Sequence, residues 1–546
     1  MKRTILFFQA ALACLLVGCK QAPESPRLQD EVRYVDPFIG TGFHGHTFPG
    51  ATRPYAMVQL SPDTHILGWD ASSGYHYDDD HIYGFSHTHL SGTGIGDLGD
   101  VALLPFSGGD SIKPVATFKK DTEKATPGYY AVRLDNFGIN VELTSTDRVG
   151  FHKYTYDNPK ERRVLLDLGH ILQPNWGHKL IGNQYLLVND STVEGTVKTQ
   201  GWAHFHSMSY RITFSEPIET VYQYIGGKLR KDSLFLRLNT AEDLKFHYKF
   251  AEKAQPLYVK VALSVVDPEG AEKNLEAELP GWDFDKTREE STHIWNEALN
   301  LIQIEADPKV MVNFYTAQYH TKLTPNLMSD VNGEYRRHDQ RIARMPQGGA
   351  YYSTFSLWDT FRAWNPLQTL VDTTLVNDMI RSMLDMYDIT GELPIWPLAS
   401  GETGTMIGYH AASVIADAYL KGIRGYDAEK ALDAMIRSSN INKKGSDYYV
   451  AQGFIPSNIK RESVSCTLEY AYDDWAISRM AGAMGRDDVA REYAQRALNY
   501  ANVFDGSTCF FRGRGTDGNW SEPFEEFATG RDYTEATPWH YRFFVP

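Results

Sequence analysis

Between about residues 34 and 266, apolar and polar residues alternate in short runs. VRLDNFGINVELTST, FHKYTYD, RVLLDLG, YRITFSE and LYVKVALSVV are examples, each cut off by Gly, Asn, Asp or Pro. Side chains change face at every residue of a strand, so this period-two pattern predicts half-buried strands. Many short strands without long helical runs predict a β-sandwich. After Asp267-Pro268 the period lengthens. FDKTREESTHIWNEALNLIQI is amphipathic at helical spacing, and helices are predicted at about 308–322, 357–370, 374–388, 406–422, 427–438, 466–485 and 487–503. The expected organisation is therefore a sandwich over 34–267, a linker-helix region over 268–300 and a helical domain over 301–546. Helical hairpins arranged in a ring make an α/α barrel. Six hairpins need roughly a dozen helices, and about eight are predicted here, so an incomplete (α/α)6 barrel is expected.

The first residues, MKRTILFFQAALACLLVGCK, follow a different pattern. Lys2 and Arg3 precede an apolar stretch from Thr4 to Val17, too short and wrongly flanked for an ordinary membrane-spanning helix. Leu16-Val17-Gly18-Cys19 resembles a bacterial lipobox. This predicts a signal peptide over 1–19, lipidation of Cys19, and a short tether over 20–33. The expected protein is an exported bacterial lipoprotein with a soluble body, in the periplasm or at the outer membrane. Two cysteines lie beyond the signal, Cys466 and Cys509; they could pair in an oxidising compartment, but free buried cysteines are expected.

Charge and composition narrow the partners. Asp and Glu number 69 against 54 Lys and Arg, a formal charge of −15, which disfavours nucleic acid. Aromatic residues make up 13% of the 546, enough for rings that pack on sugar faces and equally for large cores.

Five stretches carry candidate chemistry. Residues 34–64 are loop-like and rich in Gly and Pro. Residues 68–100 hold Trp69 beside Asp70, one ring to stack on a sugar and one carboxylate to grip hydroxyls. They also hold His76, His81, His87 and His89, expected to be packed or hydrogen-bonded rather than metal-bound. In YYSTFSLWDTFRAWNPL, Asp359 and Arg362 stand three apart, as neighbours on one helical face would. In 393–422 a loop with Trp396 and Glu402 leads to a helix carrying His410. Finally, DYTEATPWHYRFFVP is expected to put Asp532 and Glu535 on one side of the chain, beside Trp539, His540 and Tyr541. Burial against such rings raises a carboxyl pKa, as a general acid requires.

VDPFIGTG, FPGA, MVQLSPDT, GFSHTHLSGTG, SLWDTFR, MIGYH, IADAYLKGI and the ending E-x-x-x-W-x-Y-x-x-x-VP occur in order along the chain. Together they resemble the bacterial α-mannosidases of glycoside hydrolase family 92. The resemblance implies a β-sandwich packed on an (α/α)6 barrel. It implies calcium-dependent, inverting, exo-acting hydrolysis of α-mannosides, with α-1,2 linkages of N-glycans or mannan the expected substrates. It makes Glu535 the general acid and assigns Asp359 and Arg362 to the mannose subsite. Trp69, Asp70, Phe48, Gly50, Glu402, Trp539 and His540 are the further substrate-binding candidates. After the glutamate the family often reads Gly-Asn-Ala-Trp-Gln-Tyr, whereas this chain reads Ala536-Thr537-Pro538-Trp539-His540-Tyr541. The family's base aspartates, most calcium ligands and an Asn-Glu-Pro segment are expected beyond residue 546. The chain is therefore read as C-terminally truncated, without hydrolytic activity in that form and with no assignable metal ligand. A noncatalytic, membrane-tethered glycan-binding protein and a glycosidase for another sugar are the alternatives.

Overall fold

A computed structural model describes residues 28–542, apart from 109–111, 231–234, 347 and 442. The predicted signal peptide and Cys19 lie outside the described residues. The expected tether does not run free to residue 33. Gln29 and Val32 donate backbone N–H groups to Asn300 and Asn296, at 2.9 and 3.0 Å. Val32 is buried in a cluster with Trp295, Leu299 and Tyr315, which is why the chain docks here.

Two antiparallel sheets form the N-terminal half. The eight-stranded sheet runs, in spatial order, Ala51–Thr52, Gln59–Asp63, Gly84–Ser86, Ala102–Phe106, Arg163–Asp167, Leu244–Phe250, Ile218–Ile225 and Lys228–Arg230. The nine-stranded sheet runs Arg237–Thr240, Lys179–Asn189, Thr192–Gln200, His206–Phe214, Leu257–Ser264, Val149–Tyr156, Ile139–Ser145, Tyr129–Leu134 and Lys124–Thr126. Alternate residues of Tyr129–Leu134 turn inward, as the period-two pattern requires. The inward faces meet in one core. In it Tyr185 stacks on Phe246 with ring centroids 3.9 Å apart, and Phe214 packs on Tyr248.

The last sandwich strand ends at Ser264, and the first helix, Pro268–Glu278, follows. Asp267 caps it by accepting from Gly270 N–H, and Pro268 occupies the first turn, where a missing N–H costs nothing. The second half is helical, with its own core of Met379, Ile380, Met383, Ile415, Leu432 and Ile477 among others.

Two predicted helices differ in ways that shape the site. The 357–370 helix is broken into Leu357–Thr360 and Trp364–Val371. Proline cannot donate to the carbonyl four residues back and its ring collides with it; for Pro366 that carbonyl belongs to Arg362. The break leaves Arg362 between helices. The 406–422 helix begins only at Ala411, because Met406 and Gly408 take left-handed φ values of 67° and 82°. A short helix at Ser446–Gln452 was not predicted. Cys466 is buried and Cys509 exposed, and both are free.

Candidate active site

Helix Ser463–Ala483 is buried on nearly every side, so its polar residues must find partners inside the protein. Glu469 and Asp473 are one turn apart on one face, both fully buried. His410, just before helix Ala411–Leu420, faces them. Its Nδ1 lies 2.9 Å from Asp473 Oδ1, and its Nε2 makes a charge contact with Glu469 Oε2 at 3.3 Å. Phe361 stacks on the His410 ring at 4.0 Å, with planes 10° apart. Burial by itself pushes the His410 pKa down. The Asp473 and Glu469 carboxylates outweigh it and push the value up to about 9. His410 is therefore an imidazolium at neutral pH.

Arg362 completes this cluster. Its Nη2 donates to Glu469 Oε1 at 2.9 Å, and its side chain is 41% exposed. The guanidinium thus runs from a buried carboxylate out to solvent, which suits it to hold a polar ligand. It does not pair with Asp359 as the three-residue spacing predicts. The helix stops at Thr360, so the neighbouring position on the next turn does not exist. Asp359 is exposed and instead accepts from Ser356 Oγ.

The segment bearing Glu535 is fastened to the start of the same helix. Val464 and Ser465 N–H groups donate to the Asp532 carbonyl at 3.1 and 3.2 Å. Ser463 Oγ donates to the Asp532 carboxylate at 3.0 Å, and Thr534 N–H donates to Ser465 Oγ at 2.9 Å. Tyr541 bonds to Ser465 within electrostatic reach of Glu469 and Arg362. Glu535 and Arg362 are therefore anchored to one helix end. Asp532 and Glu535 do not share a side, however. Asp532 is buried, which raises its pKa, whereas Glu535 takes a left-handed φ of 48° and turns to solvent. The aromatics do not bury it, since Trp539 packs on Phe510 at 5.1 Å and on Phe527 at 6.0 Å. His540 is exposed and accepts from Thr537 N–H.

The sandwich contributes a second polar group. Trp69 opens a short turn, Trp69–Ala71, and its ring is 44% exposed. His44 and His46 flank it at 4.8 and 4.6 Å between ring centroids. Asp70 Oδ1 lies 2.7 Å from His44 Nδ1 and 3.1 Å from His46 Nε2. The two halves meet nearby. Leu90 and Leu98 of the sandwich pack with Trp396 and Leu398 of the helical half, and Trp202 lies 5.0 Å from Trp396.

Three other candidates have structural roles. Phe48 is wholly buried against His89 at 5.4 Å, so its ring is not offered to a ligand. Gly50 is buried too; a Cβ there would stand 2.3 Å from the Leu60 carbonyl oxygen, so close packing demands glycine. Glu402 accepts from the N–H groups of Ile395, Trp396 and Gly404 at 2.7 to 2.9 Å and holds the 395–404 loop together. His87 and His89 are buried with separate partners, His87 on His152 at 2.9 Å and His89 on Asp63 at 2.8 Å.

The sequence reading missed Glu469, Asp473, His44 and His46. The signal for the first pair is E-x-x-x-D inside an otherwise apolar helix. The signal for the second is His-Gly-His within a Gly-rich loop. Among the described residues, one group of three His, Cys, Asp or Glu donors is gathered closely enough for a metal: His44, His46 and Asp70. Calcium takes six to eight oxygen ligands, so two imidazoles and one carboxylate do not fit it.

Comparison with known proteins agrees with this architecture. Residues 34–264 match the glycosyl hydrolase family 92 N-terminal domain, and residues 270–546 match the family 92 catalytic domain. The fold is similar to that of a family GH92 α-mannosidase from Bacteroides thetaiotaomicron in complex with mannoimidazole. The TM-score is 0.91 at 34% identity, over 94% of this chain and 70% of that one. It is also similar to a GH92 inverting mannosidase from the same species, with a TM-score of 0.85 at 26% identity, over 95% and 71% of the two chains. An uncharacterized secreted glycosidase of Arthroderma benhamiae is 27% identical over 541 residues, and the chain spans 64% of that relative's length. With both of its halves matched to the corresponding family domains, the chain belongs to glycosyl hydrolase family 92.

Proposed function

We propose that the protein is an exo-acting α-mannosidase that hydrolyses terminal α-mannosides, α-1,2 linkages foremost, with inversion. The observation that carries the reading is the match of 94% of this chain to 70% of an α-mannosidase in complex with mannoimidazole. The polar groups of the site suit the chemistry. Glu535 is the general acid that protonates the leaving oxygen. It is exposed in the free protein, where an incoming glycan can reach it. Arg362, oriented by Glu469, holds sugar hydroxyls. His410 and Arg362 keep Glu469 charged, and Asp473 holds the His410 ring in place. Trp69 offers its open face to a sugar ring. Export fits the A. benhamiae relative, whose name describes a secreted glycosidase, and lipidation at Cys19 rests on the lipobox-like Leu16-Val17-Gly18-Cys19 alone. No helix among the described residues is long and apolar enough to cross a membrane.

The test is mannose release from α-1,2-mannobiose by the protein purified from its native host, with the product anomer followed by NMR. The first product should be the β-anomer. Glu535→Gln should lower the rate by about 100-fold or more. An unchanged rate would remove Glu535 from the acid role. Binding of mannobiose without release would favour a noncatalytic glycan-binding protein.

A further inference from the structure

We propose that His44, His46 and Asp70 form a binding site for a divalent transition-metal ion such as Zn²⁺, at the rim of the sandwich beside Trp69. Their donor atoms lie within 4.8 Å of one another. Two imidazoles and one carboxylate are a donor set that suits zinc, and three protein ligands leave a fourth position open to water or a hydroxyl.

The hydrogen bonds argue for a cation at this point. The Thr93 carbonyl can only accept, so His46 Nδ1 carries the proton it donates there, at 2.9 Å. A neutral His46 then aims the bare lone pair of Nε2 at Asp70 Oδ1, 3.1 Å away. Two acceptors face each other, and positive charge must lie between or upon them. The His46 side chain is only 5% exposed, so bulk water does not separate the two. A ring N–H donated to a backbone carbonyl is also the outer bond that fixes the tautomer of a metal-binding histidine.

The loop is built to hold both rings toward Asp70. A Cβ on Gly45 would stand 2.1 Å from the Gly40 carbonyl oxygen, so only glycine fits between the histidines. His46 takes a φ of 53°, a left-handed conformation that costs a non-glycine residue about 1–3 kcal/mol. Bonds of about 2.0 Å in tetrahedral geometry place donors roughly 3.3 Å apart, so the two histidine–aspartate separations, 2.7 and 3.1 Å, must open slightly while the two imidazole donors settle to the same spacing. Both rings touch Trp69, so an ion here would also fix the orientation of that indole. None of this depends on the mannosidase reading.

The test is titration of the chelator-stripped chain with Zn²⁺ by calorimetry and with Co²⁺ by visible absorption. One ion should bind per chain with micromolar or tighter affinity. Asp70→Asn and His46→Gln should each weaken binding by about tenfold or more, while Trp69→Phe should leave it intact. Circular dichroism in EDTA checks that the variants fold. Where a variant does not fold, the wild-type Co²⁺ spectrum decides: strong absorption supports a four- or five-coordinate site with nitrogen ligands, and weak octahedral absorption overturns it. Absence of binding, or affinity unchanged in both folded variants, also overturns the proposal.

Discussion

The His410 cluster and the His44–His46–Asp70 cluster use the same kinds of side chain in opposite surroundings. The first is carried by helices, and Glu469, His410 and Asp473 are all completely buried. There each charge must meet an opposite one, and Arg362, Glu469, His410 and Asp473 form an unbroken alternation of charge. The second is carried by loops, with His44 and Asp70 partly open to water. There the pairing is incomplete, and a lone pair is left facing a carboxylate. Burial forces self-sufficiency, and such a cluster can serve only as a rigid floor under Arg362. Partial exposure permits an unmet need, and an unmet need is what a ligand can satisfy.

This contrast should be plainest in stability. Glu469→Ala takes from His410 one of its two carboxylates and from Arg362 its buried partner, and loss of one partner from a buried pair costs about 3–5 kcal/mol. Asp70→Ala removes a partly exposed partner and should cost about 1 kcal/mol or less. Urea unfolding measured without added metal compares the two. Equal costs would mean that the rim cluster is as structural as the floor.

A smaller effect is expected from pH. His410 is raised from an ordinary 6.5 to about 9, so the folded state holds its proton more tightly than the unfolded chain. The associated stability is fully present below pH 6.5 and is lost as pH rises through 9. Its size is of the order of 3 kcal/mol. The unfolding midpoint should therefore fall between pH 7 and 9.5, and the fall should be smaller in His410→Gln. A variant with the same alkaline slope as the wild type would locate the titration elsewhere.

The same contrast explains what the sequence made legible. Periodicity revealed the sandwich and the helices, because burial on one face leaves a regular trace. The break at Arg362 was not read, although Pro366 marks it. Glu469 and Asp473 were not legible, because a helix buried all round has no polar face against which a functional residue stands out. Phe48, Gly50 and Glu402 lay in motifs of the right composition, yet packing gave each a structural role. The direction of Glu535 depends on one left-handed residue, and Glu535 itself takes that conformation where glycine or asparagine would have signalled it. Contacts between distant loops, such as His44 with Asp70, leave no period at all.

The smallest stability effect should come from Trp69, and it sharpens the comparison between rim and floor most finely. The indole is nearly half exposed and rests on two imidazoles instead of an apolar core. Trp69→Ala should therefore change unfolding free energy by about 0.5 kcal/mol or less, within the range of ordinary surface substitutions. If the ring is a sugar platform, the same change should weaken binding of α-1,2-mannobiose by about tenfold, a loss near 1.4 kcal/mol. Calorimetry with the disaccharide and urea unfolding of the same protein give both numbers. A large loss of stability with unchanged sugar affinity would make Trp69 part of the sandwich's packing, and the rim would then lose its claim to contact the substrate.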